Sequence, residues 1–241
     1  MKWTESFRIS THDTDPDGNV RISPLLRYMQ DTANRQCLSA GPSNEELRQR
    51  GYAFIVSRMA LKIYRPLNCY DEILVSSWPC ESKGVYYLRC YDIRIGDETV
   101  AEASSIWALL DIGGRRVCRV GEISDGYLGG GFDPPNEIEI PMRLKAPAGQ
   151  PVQPAGEYTV SYRDSDINSH MNNTVYADIM CGFLPVDRRA VGSFCISFLN
   201  EAPLGCKLDV FTADCGGGKY FVRTVRKDGM INAEAEIVFR S

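Results

Sequence analysis

The sequence predicts an α+β fold in which a curved antiparallel sheet wraps around one long helix, with that unit made twice in a single chain. Three observations predict it. The first is an internal repeat: "THDTDPDGNVRISPLLRYMQDTA" at 11–33 overlays "YRDSDINSHMNNTVYADIM" at 162–180 with an offset of 151, which sets Asp13 on Asp164, Asp15 on Asp166, Asp17 on Asn168 and Asn19 on His170. The second is that each copy then enters a helical apolar pattern, followed by β-branched and aromatic runs broken by turns. The third is a Gly- and Pro-rich stretch between the copies ("GYLGGGFDPP", "KAPAGQPVQPAG"), suited to a connector crossing the surface. The expected division is therefore 1–120, a connector at 121–157, and 158–241.

Taken in order, "SFRIS" reads as a strand ahead of the first loop. Ser23 and Pro24 then supply a cap and a first-turn proline, and Leu25, Leu26, Met29, Ala33 and Cys37 share one helical face. In the second copy Asn173 can cap a helix with two apolar stripes, Val175, Ile179 and Phe183 beside Tyr176, Met180 and Leu184. Residues 54–80 and 191–215 each read as two extended runs around a turn, near Pro66 and Pro203. Residues 84–120 and 217–241 each read as a hairpin, through "IGDE" and "KDGM".

Composition narrows the function. With 27 basic against 31 acidic residues there is no overall field to attract nucleic acid. Apolar runs such as "IWALL" are far too short to span a bilayer, so no membrane partner is expected. Nine cysteines form no C-x-x-C pair, which suggests reduced thiols in a cytoplasm. The lack of a transit-like leader favours a bacterial cytoplasm over an organelle. "DTDPDGNVRISP" at 13–24 fits the opening positions of a calcium loop, but Pro24 stands where the closing acid belongs, and the preceding "SFRIS" is not a helix. With two histidines in all, a zinc site is also poorly supported; no metal and no cofactor are expected.

The chemistry concentrates in "DSDINSHMNNTVY" at 164–176. Asp and Asn ahead of a helix often serve only as turns and caps, but capping requires neither imidazole nor phenol. "DINSHMNN" followed by Tyr176, with "FLNEA" about thirty residues on and "ASSIWALLDIGGRRVCRV" at 103–120, resembles the acyl-acyl-carrier-protein thioesterases over the whole chain. The resemblance implies a tandem (double) hotdog, two antiparallel sheets each wrapped around a long helix. It also implies that the first half shapes the pocket for an acyl tail while the second releases a free fatty acid.

Thioester hydrolysis needs an activated water near the carbonyl carbon and donors where oxyanion charge develops. Asp166, Asn168 and His170 alternate along an irregular or extended stretch and can project to one side: Asp166 as base or nucleophile, Asn168 orienting water, His170 shuttling a proton or holding a carboxylate. Amides near Asn172 and Asn173, with Tyr176, are candidates to polarise the carbonyl and position substrate. The family further implies a carboxylate from the next strand, and Glu201 falls there; the neighbouring position, a cysteine in some family accounts, is Ala202, which favours a carboxylate route. In the first copy Asn19, Arg21, Ile22 and Pro66 occupy the places of His170, Asn172, Asn173 and Glu201, so one active site per chain is expected.

The implied partner is acyl carrier protein with its phosphopantetheine-linked chain. Carriers are acidic, which makes Arg188, Arg189, Arg223, Arg226 and Lys227 candidate docking cations. A hotdog acyl-coenzyme A thioesterase and a non-catalytic acyl- or carrier-binding module are the alternatives. Two hotdogs in one chain suit a monomer, and a homodimer is the other expectation.

Overall fold

The structure is a computed structural model that describes residues 2–122, 132–147, 149–185 and 190–240. The first half runs β1 (Trp3–Arg8), α1 (Ile22–Ala40), α2 (Asn44–Gln49), β2 (Tyr52–Ile63), β3 (Glu72–Pro79), β4 (Tyr87–Ile95), β5 (Glu98–Asp111) and a short β6 (Arg116–Val117). The second runs β7 (Gln153–Thr159), α3 (Tyr176–Cys181), β8 (Val191–Phe198), β9 (Lys207–Gly216), β10 (Lys219–Arg226) and β11 (Ile231–Phe239).

The sheet order β1-β3-β4-β5-β2-β8-β11-β10-β9-β7 is its own mirror, each half supplying five strands in the same sequence of roles. The two halves do not keep separate sheets. Strands β2 and β8 pair antiparallel from Arg58 opposite Ser197 to Lys62 opposite Ser193, giving one continuous sheet among the described residues. The physical reason is edge satisfaction: each half alone would leave β2 or β8 with a row of unpaired backbone groups, and pairing them across the centre removes both edges.

On one face, Met59 and Leu61 of β2 and Phe194 and Ile196 of β8 meet the buried stripe of α1 (Leu25, Leu26, Met29, Ala33) and Met180 of α3 in a single core. The connector crosses the opposite face. There Trp78 donates to the carbonyl of Pro134 at 3.0 Å, Asn136 donates to that of Ala103 at 2.9 Å, and Leu144 packs on Ala213 and Phe221.

Two further expectations need correction. The second helix is not long: α3 spans six residues, and turns through Gly182, Phe183 and Leu184 carry the chain to Pro185. Gly182 weakens helical winding and Pro185 disfavours it in the residue before, so the apolar stripes outlast the helix itself. Strand β7 begins at Gln153, inside the stretch read as connector to 157. It is an edge strand on β9 with a bulge between Pro154 and Gly156, where proline and glycine are tolerated. Gly156 (φ +153°) also admits the Phe183 ring, which would lie 2.8 Å from an added Cβ.

No helix among the described residues is long and apolar enough to cross a membrane. The nine cysteines are free thiols.

Candidate active site

The repeated loop is built on a buried aspartate in each half. Asp164 accepts from the Ser161 amide (2.7 Å), the Ser161 hydroxyl (2.6 Å) and the Tyr158 hydroxyl (2.8 Å); Asp13 accepts from Ser10 and from Tyr28 in the same manner. Burial works against the Asp164 charge, yet these hydrogen bonds hold its carboxyl below the usual range. Asp13 and Asp164 are thus the anchors of their loops.

The register of the two copies is fixed by backbone bonds. Val20 donates to the Leu67 carbonyl and Met171 to the Ala202 carbonyl, both at 2.8 Å, so Leu67 superposes on Ala202 and Pro66 on Glu201.

Beyond Asp164 the chain makes a tight turn, not an extended run. The Asp166 amide donates to the His170 carbonyl at 3.1 Å, and Ser169 takes a left-handed φ of +64°. The Asp166 carboxylate receives the Asn168 backbone amide (2.8 Å) and side-chain amide (3.2 Å). The exposed Asn168 carbonyl oxygen in turn accepts from Arg48 of α2. His170 meets a different carboxylate, its Nε2 lying 3.8 Å from Glu201 Oε1. Four of the seven predicted groups therefore fall into two pairs, Asp166 with Asn168 and His170 with Glu201, with Asn172 and Asn173 following in the chain.

Asn172 Oδ1 accepts from the amide and hydroxyl of Thr174 (2.9 and 2.8 Å), and its carbonyl accepts from Val175. Helix α3 consequently starts at Tyr176, and the amides of 174 and 175 are already engaged. The half-buried Asn173 makes no hydrogen bond among the described residues. Tyr176 points into the core at 3% exposure, edge-on to Phe198, and burial pushes its phenol up to about 12.

The Tyr176 hydroxyl leads to residues that the sequence did not single out. It accepts from Asn232 Nδ2 at 3.0 Å; the same amide nitrogen donates to the Asn200 carbonyl, and Asn232 Oδ1 accepts from Thr224 at 2.9 Å. The Asn232 carbonyl accepts from the amides of Leu199 and Asn200. Asn232 is fully buried and clamps the turn that presents Glu201. Its one signal was an amide at the start of the apolar "INAEAEIVF" run. Arg48 had a clearer signal, since "SNEE" at 43–46 forms a capping box that opens α2, while Leu47 of the same helix is buried.

The first copy is spent on packing. Arg21 pairs with Asp178 of α3 at 2.7 Å, Ser23 exchanges hydrogen bonds with the same aspartate, and Asp15 Oδ1 caps the amides of Asp17 and Asn19. Ala202 is buried, and burial raises the Cys206 thiol above its ordinary range, which disfavours a thiolate nucleophile there. The docking candidates are also engaged: Arg223 with Glu234 at 2.6 Å, Arg226 with Asp228 at 2.6 Å and with the Glu201 carbonyl, and Lys227 with Glu157 and Asp209. Arg188 and Arg189 lie outside the described residues.

Mirror-related halves joined through β2 and β8, with one histidine–carboxylate pair in the second loop, define a tandem hotdog protein. The chain belongs to the acyl-ACP thioesterase family: residues 1–127 match the acyl-ACP thioesterase N-terminal domain and residues 151–241 the C-terminal domain. It is 23% identical to the chloroplastic dodecanoyl-[acyl-carrier-protein] hydrolase of Cinnamomum camphora, over 90% of this chain and 60% of that protein. The chain spans about half to three fifths of the length of the curated relatives it matches. In fold it matches an acyl-ACP thioesterase from Bacteroides thetaiotaomicron (TM-score 0.90, 20% identity, 99% of this chain and 98% of that one). It likewise matches the 12:0-ACP thioesterase of Umbellularia californica (TM-score 0.85, 20% identity, 99% and 97%).

Proposed function

We propose that the chain hydrolyses the thioester between a fatty acyl group and acyl carrier protein, releasing a free fatty acid. The observation that carries this reading is the His170–Glu201 pair, 3.8 Å apart beside the Asp166 turn and without a counterpart in the first copy.

Roles follow from what each group already holds. The Asp166 carboxylate is engaged by Asn168, so it shapes the turn and, with Asn168, positions the attacking water. The Glu201 side chain is 72% exposed and meets His170, so it acts as general base and takes the proton of that water. The resulting hydroxide attacks the carbonyl carbon, and the Asn173 amide faces the oxyanion. His170 relays the proton taken up by Glu201 to the departing pantetheine sulfur as the carbon–sulfur bond breaks, which returns both groups to their starting state. Tyr176 acts through Asn232 on the Glu201 turn.

The second half thus carries the chemistry, while the first shapes the acyl pocket and lends Arg48 to the loop. One chain supplies both hotdogs, which suits a monomeric enzyme of the cytoplasm. With Arg223, Arg226 and Lys227 paired internally, Arg188 and Arg189 are the remaining docking candidates for the acidic carrier.

The test is thiol release from one medium-chain acyl group presented on carrier protein and on coenzyme A. Faster turnover on the carrier supports the proposal. A preference for coenzyme A transfers the reading to an acyl-coenzyme A thioesterase, and no release from either leaves a binding module.

A further inference from the structure

On the sheet face turned away from the helices, one cross-strand row reads Arg58, Ser197, Glu234, Arg223, each paired with the next through β2, β8, β11 and β10. The connector segment Met142–Ala146 stands over this row and lines an open cavity of about 750 Å³. Over the first half the same connector is held down by Trp78 and Asn136.

The charge in this cavity is unbalanced. Arg58 is only 7% exposed, yet no carboxylate among the described residues lies within ion-pair distance of it. Its guanidinium donates to the carbonyls of Pro141 and Met142 and sits 5.3 Å from the Tyr86 ring. A buried cation offset only by carbonyls and a ring is costly to keep. Arg143 and Lys145, both exposed, are also without an ion pair among the described residues, and Glu234 is taken by Arg223. Four cations against one carboxylate line a cavity in a chain of net charge −4. Phe198 and Leu199 form an apolar wall, and Leu199 stands two residues before Glu201, at most roughly 7 Å along the chain.

We propose that this cavity receives the phosphate of a phosphopantetheine group, with Arg58, Arg143 and Lys145 holding the phosphate and the pantetheine arm running past Leu199 toward Glu201. The proposal rests on the thioesterase reading and adds to it the residues that grip the arm. Guanidinium and ammonium groups converging on one space suit phosphate oxygens, and the apolar wall suits the arm.

Calorimetric titration of the intact chain with 4′-phosphopantetheine, pantetheine and coenzyme A tests it. Phosphopantetheine is expected to bind at least tenfold tighter than pantetheine, and the Arg143→Ala/Lys145→Ala double variant, altered only at exposed positions, is expected to lose that preference. Arg35→Ala/Arg65→Ala, which removes two ion-paired cations elsewhere, is expected to retain it. Coenzyme A binding no tighter than phosphopantetheine supports a carrier-borne arm, and tighter binding supports coenzyme A as the source. Equal affinity for pantetheine and phosphopantetheine, no phosphopantetheine binding at millimolar concentration, or an unchanged preference in the double variant overturns the site. Binding is read without turnover, so loss of this preference and loss of hydrolysis are separate results.

Discussion

Replacing Asn232 with alanine removes the clamp beneath Glu201 without touching any group that meets substrate. The side chain engages the Tyr176 hydroxyl (3.0 Å), the Thr224 hydroxyl (2.9 Å) and the Asn200 carbonyl, at a position with no solvent exposure. Each partner left unsatisfied in the interior costs about 1–3 kcal/mol. The Thr224 hydroxyl can still turn to the Ala233 carbonyl at 3.4 Å, and the Asn200 carbonyl can relax toward water, so the sum lands near the lower bound, about 3 kcal/mol. For a chain of this size that is a fall of roughly 6–12 °C in Tm. Tyr176→Phe removes one partner only and should cost about 1 kcal/mol. Thermal unfolding gives the stability change, and kcat measured well below the transition gives the positioning effect. Asn232→Ala should lower kcat with little change in KM, because the Glu201 turn loses its tether while the acyl pocket is left alone. A Tm within about 2 °C of wild type, below the shift one lost hydrogen bond produces, would refute the assignment of Asn232 as a buried clamp. An unchanged kcat in a destabilised variant would refute its link to Glu201.

Further outcomes follow from the same geometry. Gly156→Ala forces a Cβ to within 2.8 Å of Phe183 at φ +153°, and should cost about 1–3 kcal/mol in denaturant unfolding, partly recovered by adding Phe183→Leu. Asp164→Asn removes a carboxylate whose folded pKa lies below its ordinary 3.8; the wild-type advantage should be full above about pH 4 and shrink as pH falls through the folded value, read by urea unfolding across pH. Arg48→Ala frees the Asn168 side chain from the first half, and should lower kcat severalfold with Tm within about 2 °C, since this exposed contact contributes little to stability.

The sequence carried the repeat well, because paired Asp-x-Asp turns and the strand runs behind them are local patterns. The register that set Pro66 against Glu201 agrees with the backbone bonds from Val20 to Leu67 and from Met171 to Ala202. What it did not carry depended on distance or on competing local signals. Apolar spacing from Tyr176 to Leu184 promised a full helix, but Gly182 and Pro185 ended the regular winding after Cys181. Arg223 and Lys227 looked available for docking because their carboxylate partners sit on other strands, Glu234 on β11, Glu157 on β7 and Asp209 on β9. Tyr176 drew notice for its phenol, though the apolar stripe it shares with Met180 and Leu184 already turned it inward. Asn232 and Arg48 act across 56 and 120 residues of sequence, beyond any local pattern.

The proposed mechanism has Glu201 activate water with His170 as its partner. It is tested most directly by single-turnover hydrolysis of acyl carrier protein loaded with a medium-chain acyl group, comparing wild type with Glu201→Gln. That change keeps size and hydrogen bonding at a side chain 72% exposed, so the fold should be untouched. A loss of about 10²–10⁴-fold in the hydrolytic rate is expected, the usual contribution of a general base. A Glu201→Gln rate within threefold of wild type would contradict it and move the role of base to Asp166.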